Sequence, residues 1–117
     1  MKAVSLSGDW QPFAGTPGAW FSLLSGDFDE AGGRGFRTRL VKYDPGTYTG
    51  VPFVHVFWEE AYLLEGEMVE GETNQHRYTA PAYVIRPPGT SHGPFFSKAG
   101  CLLLEIQYFA SRSLGKP

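Results

Sequence analysis

Three side chains in this sequence carry metal-binding chemistry at a spacing that lets them meet: His55, Glu59 and His92. Two imidazoles and one carboxylate form a facial set suited to Fe(II), Mn(II), Ni(II) or Zn(II), with positions left for water, substrate or oxygen. Glu59, if it stays off the metal, has the chemistry of a general base. The third histidine, His76, sits in the polar run NQHRY and reads as exposed.

The elements around these residues must aim them. Residues 53–58 read as extended, which puts Phe53, His55 and Phe57 on one face and Val54, Val56 and Trp58 on the other. A short turn after Phe57 then returns Glu59 to the inward face. His92 ends the run PPGTSH, whose Pro-x-Gly turn aims a side chain sharply. If that turn lies beside the hairpin, His55, Glu59 and His92 converge. Plainer readings stand beside this one. His55 on an apolar face is also an ordinary core position, and Glu59 beside Glu60 also fits a solvated turn. A Pro-x-Gly-x-x-His turn has little structural need of its histidine, so His92 is the residue the spacing singles out.

Phe53, Phe57, Tyr48 and Phe96, with Tyr62 and Phe95, offer aromatic walls for a small ligand, or simply barrel core. Cys101, Glu105 and Gln107 share one face of residues 101–109. Turned inward, Glu105 and Gln107 need polar partners and mark a polar end of the pocket. Arg37 and Arg39 share a face of their own segment. Either can pair with a ligand carboxylate or with Glu105, and a solvated surface position is expected for at least one of them.

Most of the chain reads as strand. Residues 1–18 form a lead-in arm anchored by Trp10 and Phe13. Residues 19–24, 36–43, 47–57, 60–64, 78–86 and 101–109 are rich in β-branched and aromatic types, and the last is the most apolar and reads as central. Residues 25–35 read as an acidic, glycine-rich loop, residues 44–46 as an Asp-Pro-Gly turn, residues 65–67 as a turn and residues 68–77 as an exposed hairpin. Pro52 and Pro81 are expected to split their segments. The tail 110–117 has no pattern. No 3.6-residue period extends over a helix-length window. One all-β domain, a closed or sandwiched antiparallel sheet, is the expectation.

Composition narrows the function classes. The chain has 117 residues, net charge −2 and no basic stripe to follow a phosphate backbone, so nucleic acid is not an expected partner. A single cysteine, Cys101, leaves no disulfide framework and suits a reducing compartment. No apolar run approaches the ~20 residues of a membrane span, and residues 1–10 lack a signal-peptide pattern. The expected setting is the cytoplasm.

Two motifs resemble those of the cupin superfamily. In the first, Glu59, six residues and then Gly66 stand in the phrase EEAYLLEG, and three residues separate His55 from Glu59. Phe53 stands where that family has another histidine. In the second, Pro87, Gly89 and His92 match, while Pro81 and Phe96 replace a glycine and an asparagine. The resemblance covers residues 36–109, and GTSHGPFFSKAGCLLLEI resembles the ChrR-like branch. It implies a double-stranded β-helix, or jelly-roll barrel, with a divalent transition metal at its mouth held by His55, Glu59 and His92. Phe53 cannot ligate and becomes cavity wall. The substrate pocket expected around them comprises Phe53, Phe57, Tyr48, Arg39, Phe96 and Glu105. The function expected is a small metal-dependent enzyme, dioxygenase-like, acting on a diketone, phenolic or other oxygenated small molecule. The alternatives are a non-catalytic ligand- or metal-sensing module and a metal-free cyclase or isomerase. A homodimer is expected, since cupins are often dimers.

Overall fold

The computed structural model describes residue 6 and residues 8–109; the tail 110–117 and most of the first seven residues lie outside the described residues. The strands are β1 (Gln11–Pro12), β2 (Ala19–Asp29), β3 (Arg34–Tyr43), β4 (Thr47–Tyr48), β5 (Phe53–Val54), β6 (Trp58–Glu70), β7 (His76–Thr79), β8 (Ala82–Arg86), β9 (Ser91–His92), β10 (Phe95–Ser97) and β11 (Cys101–Tyr108). Every pairing is antiparallel. The chain of neighbours runs β1-β2-β3-β11-β6-β10-β4, with β7 and β8 also on β6, and β5 pairs with β9 as a separate ribbon. This is the all-β jelly-roll that the strand pattern predicts, with β11 central between β3 and β6.

β6 holds the architecture together. Its first half pairs with β11 and β8, and its last residues pair with β7 and β10. The predicted turn at residues 65–67 is absent; the strand runs straight through. Gly66 takes φ +85°, next to a register shift opposite Leu102 and Leu103. A Cβ there would meet the Gly100 carbonyl at 2.1 Å, so glycine is needed for close strand approach rather than for chain reversal.

A second correction concerns residues 25–35. They form the end of a long β2–β3 hairpin with a bulge between Leu23 and Ser25, and only residues 30–33 turn. Beyond the strand ladder, Phe28 ties the hairpin to the body of the barrel. Its ring packs 5.2 Å from Phe57 and 5.1 Å from Phe109, a contact that no local period announces. Residues 68–77 do form a hairpin, but Met68 belongs to the core rather than the surface. Pro52 and Pro81 split their segments as expected. The Asp44-Pro45-Gly46 turn closes through Thr47 N donating to Asp44 O at 3.1 Å.

The core is the inward face of the barrel: Val41, Ala61, Leu63, Met68, Phe95, Cys101 and Leu103. Phe13 of the arm packs on Phe21 at 5.0 Å, and Trp10 lies 4.5 Å from the Lys42 ammonium, so both predicted anchors are engaged.

Candidate metal centre

Sheet register brings the polar residues into rows. Arg37 on β3, Gln107 on β11, Glu59 on β6 and Arg86 on β8 are successive neighbours across four strands. One row further along, Arg39 faces Glu105. Beyond that, Val41, Leu103 and Leu63 begin the apolar floor. These inward rows leave a cavity of about 160 Å³ whose wall includes Arg39, Phe53, His55, Glu59, Arg86, His92 and Glu105.

His55 follows β5, and His92 ends β9, whose residues pair with β5 as Phe53 with His92 and Val54 with Ser91. The Pro87–Thr90 turn is tied onto the same segment by Gly89 N donating to His55 O at 2.8 Å. The loop therefore lies beside the hairpin, as convergence requires. His55 Nε2 is 3.5 Å and His92 Nε2 4.0 Å from Glu59 Oε1. The three donor atoms lie within 4.8 Å of one another.

His92 Nδ1 contacts Thr90 O at 3.3 Å. A carbonyl only accepts, so Nδ1 carries the hydrogen and Nε2 turns a lone pair toward Glu59, the usual arrangement behind a metal-binding imidazole. His55 stacks on Phe57 with ring centroids 4.4 Å apart, which fixes its plane. Two atoms bound to one ion at 2.0–2.2 Å stand about 3 Å apart at right angles. The donor pairs thus need to close by about 0.5–2 Å, and the donor types and geometry fit a divalent transition ion.

The electrostatics follow from burial. Glu59 is 4% exposed. Burial, then the Glu105 charge, raises its carboxyl to about 7 against the pull of Arg86 and the Gln107 hydrogen bond. Burial, then Arg86, lowers His92 to about 4. Burial also lowers His55. At neutral pH both imidazoles are neutral and able to ligate, and Glu59 is poised between its two forms.

Phe53 stands in the cavity wall, its ring 5.9 Å from His92 and 6.3 Å from His55. Arg39 and Glu105 also line the cavity and pair at 2.9 Å. Neither arginine has the solvated position expected for one of them: Arg37 Nε donates to Gln107 Oε1 and Arg39 Nε to Glu105 Oε1. Three pocket expectations are corrected. Phe57 is buried behind His55 rather than on the cavity. Tyr48 and Phe96 are cross-strand neighbours, 55% and 39% exposed, on the outer face. Inside, their places are taken by Thr47 and Ser97, whose hydroxyls are spent on backbone carbonyls.

Sequence reasoning missed Arg86 and Glu70. Arg86 Nη1 is 3.6 Å from Glu59 Oε2, and its Nη2 is 3.2 Å from Glu70 Oε1. Glu70 Oε2 accepts from Gly93 N at 2.9 Å, immediately after His92. Their signal was weak: a charge at the end of an apolar strand, and one of several glutamates in a polar run.

A jelly-roll barrel with two histidines and a glutamate converging in a cavity defines a cupin. The sequence model of the ChrR cupin-like domain family matches residues 5–108, and the chain belongs to that family. No curated protein matches the chain. Among solved structures it is similar to the polyketide cyclase RemF from Streptomyces resistomycificus (21% identity, TM-score 0.74, covering 94% of this chain and 80% of that one). It is also similar to KdgF from Halomonas sp. (19%, 0.71, 95% and 96%) and to an acetylacetone dioxygenase from Acinetobacter johnsonii (21%, 0.69, 99% and 80%). At these identities the likeness is one of fold.

Proposed function

We propose that this cupin is a small metal-dependent enzyme, dioxygenase-like, acting on a small oxygenated organic molecule such as a diketone or phenol. The observation that carries the reading is the His92 arrangement: a buried imidazole with Nδ1 held by a backbone carbonyl and Nε2 facing Glu59. His55, Glu59 and His92 would hold Fe(II), Zn(II), Ni(II) or Mn(II), and such an ion supplies Lewis-acid polarisation of substrate oxygens and an open coordination position. The chain's own residues do the rest. Phe53 and Phe95 exclude water from one side of the cavity. Gln107 and Arg86 hold the two oxygens of Glu59 from opposite sides. Glu70 holds the backbone next to His92.

A second reading has its own observation. A Glu59 carboxyl near 7 inside a cavity is a suitable general base for a metal-free cyclase or isomerase. Metal analysis of protein purified without added metal separates the two. Near-stoichiometric transition metal, lost in His55→Ala and His92→Ala, is the expected outcome. Protein that is metal-free and ignores added Fe(II), Co(II) or Zn(II) would sink the first reading. A non-catalytic sensing module would bind metal or ligand without turnover.

For partners, we propose a homodimer joined through the outer sheet face, where Tyr62, Leu64, Tyr83 and Ile85 are all more than a third exposed. We place the protein in the cytoplasm on its single cysteine; among the described residues no helix is long and apolar enough to cross a membrane.

A further inference from the structure

The cavity has a second polar wall, one row from Glu59. There Arg39 and Glu105 sit opposite each other in register, each side chain 13% exposed, with Arg39 Nε donating to Glu105 Oε1 at 2.9 Å. That bond uses one of the guanidinium's five N–H donors. Among the described residues, no acceptor takes the hydrogens on Nη1 or Nη2. Yet no fully sequestered side-chain nitrogen or oxygen lacks a partner. The two Nη atoms are therefore not fully sequestered, and Arg39 is one of the residues that line the cavity. The guanidinium carbon lies 5.0 Å from the Phe13 ring centroid and 5.7 Å from that of Phe21. The two ring centroids are themselves only 5.0 Å apart, so both rings pack on one side of the guanidinium.

We propose that the Nη edge of Arg39 is an oxyanion subsite, which takes the carboxylate of a small oxo or hydroxy acid whose remaining oxygens face His55, Glu59 and His92. The second half of that placement rests on the metal reading above; the carboxylate contact does not. The planar fork of a guanidinium matches a carboxylate in bidentate fashion. Glu105 fixes the fork by holding Nε, so the free edge is aimed before ligand arrives. A neutral ligand filling the cavity would displace water from the Nη edge and leave a charged donor unpaired, which carries a penalty. The cavity of about 160 Å³ is smaller than a drug-sized site of roughly 300 Å³ or more, so the acid is short.

The test uses 4-oxopentanoate and 5-oxohexanoate, each against its neutral amide, with the full-length protein in Co(II)-loaded and metal-free form. Calorimetry reads ligand affinity, and the Co(II) absorption spectrum reads metal uptake separately. At least one acid is expected to bind Co(II)-loaded protein about tenfold or more tighter than its amide. Arg39→Gln is expected to bring that ratio near one while Co(II) uptake persists. Should Arg39→Gln not fold, Arg39→Lys keeps the charge, loses the fork and is expected to cut the ratio several-fold. Equal binding of acid and amide, no binding of either acid, or a ratio unchanged in the arginine variants overturns the subsite. Native protein that takes no Co(II) yet prefers the acid overturns the metal reading and leaves the subsite standing.

Discussion

Gln107 Nε2 donates to Glu59 Oε1 at 3.2 Å from the directly opposite strand position, and the Gln107 oxygen is at the same time the acceptor for Arg37. An amide that must accept on one side has no freedom to flip, so its NH2 always points at Glu59. Gln107 is fully buried. Gln107→Leu removes this donor and leaves Arg37 Nε without its acceptor, a cost of about 1–3 kcal/mol. In a domain this size that is roughly 4–12 °C in Tm. The Glu59 carboxyl should also rise further above 7, since a bond favouring its charged form is gone. An unchanged melting curve would argue against the row as a connected unit.

Metal affinity should depend on pH in one direction. The metal needs carboxylate and neutral imidazoles. His92 is lowered to about 4 and His55 is lowered as well, so neither competes with metal for a proton near neutrality. Glu59, raised to about 7, does. Affinity for Co(II) is expected to climb by up to about tenfold per pH unit below 7 and to level off above it. Titrations in buffers of different ionisation enthalpy should show proton release at pH 6.5 that vanishes by pH 8.5.

The same carboxyl makes an apo-protein prediction. A folded-state value raised above the unfolded one adds stability below the unfolded value, and that stability is lost as pH rises through about 7. Glu59→Gln removes a buried charge while keeping an acceptor for Gln107. It should abolish metal binding, raise the apo Tm at pH 8 and leave it nearly unchanged at pH 4.5. A lower Tm at pH 8 would mean that Arg86 outweighs burial.

Phe53 lies directly across the β5–β9 pair from His92, with its ring near both histidines. Phe53→His offers a fourth donor at the position where the cupin motif has one. Co(II) should bind at least about tenfold tighter, with a changed visible spectrum, because each added imidazole ligand strengthens the site. An identical spectrum would place the new ring out of reach.

For the outer face, Ile85→Glu puts a charge beside the Tyr62–Tyr83 pair, whose centroids are 4.9 Å apart. Light scattering should show a native dimer and a 12.9 kDa monomer for the variant. A monomeric native protein removes the dimer proposal.

What could be read from sequence followed chain-local logic. His55, Glu59 and His92 were visible because metal ligands on a hairpin and a tight turn obey fixed spacings. Arg86 was not, because its place beside Glu59 depends on β6–β8 register, which no local pattern states. Tyr48 and Phe96 face outward for a related reason. Strand parity put the small Thr47 and Ser97 inside, where their hydroxyls cap backbone carbonyls, and sent both rings outward. Residues 25–35 read as a loop since glycine and aspartate dominate them, while the ladder to β3 and the contacts of Phe28 with Phe57 and Phe109 are long-range and leave no local pattern.

Gly66 divides β6 into two arms. The arm before it carries Glu59, the arm after it carries Glu70, and Arg86 touches both carboxylates. One continuous strand thus carries both carboxylates, and a single guanidinium ties them together. Any side chain at position 66 meets the Gly100 carbonyl and must push β6 away from the start of β11. A substitution there would change the distance between Glu59 and the backbone beside His92, so the spacing of the donor atoms is set in part by a residue that bears no side chain and never touches them.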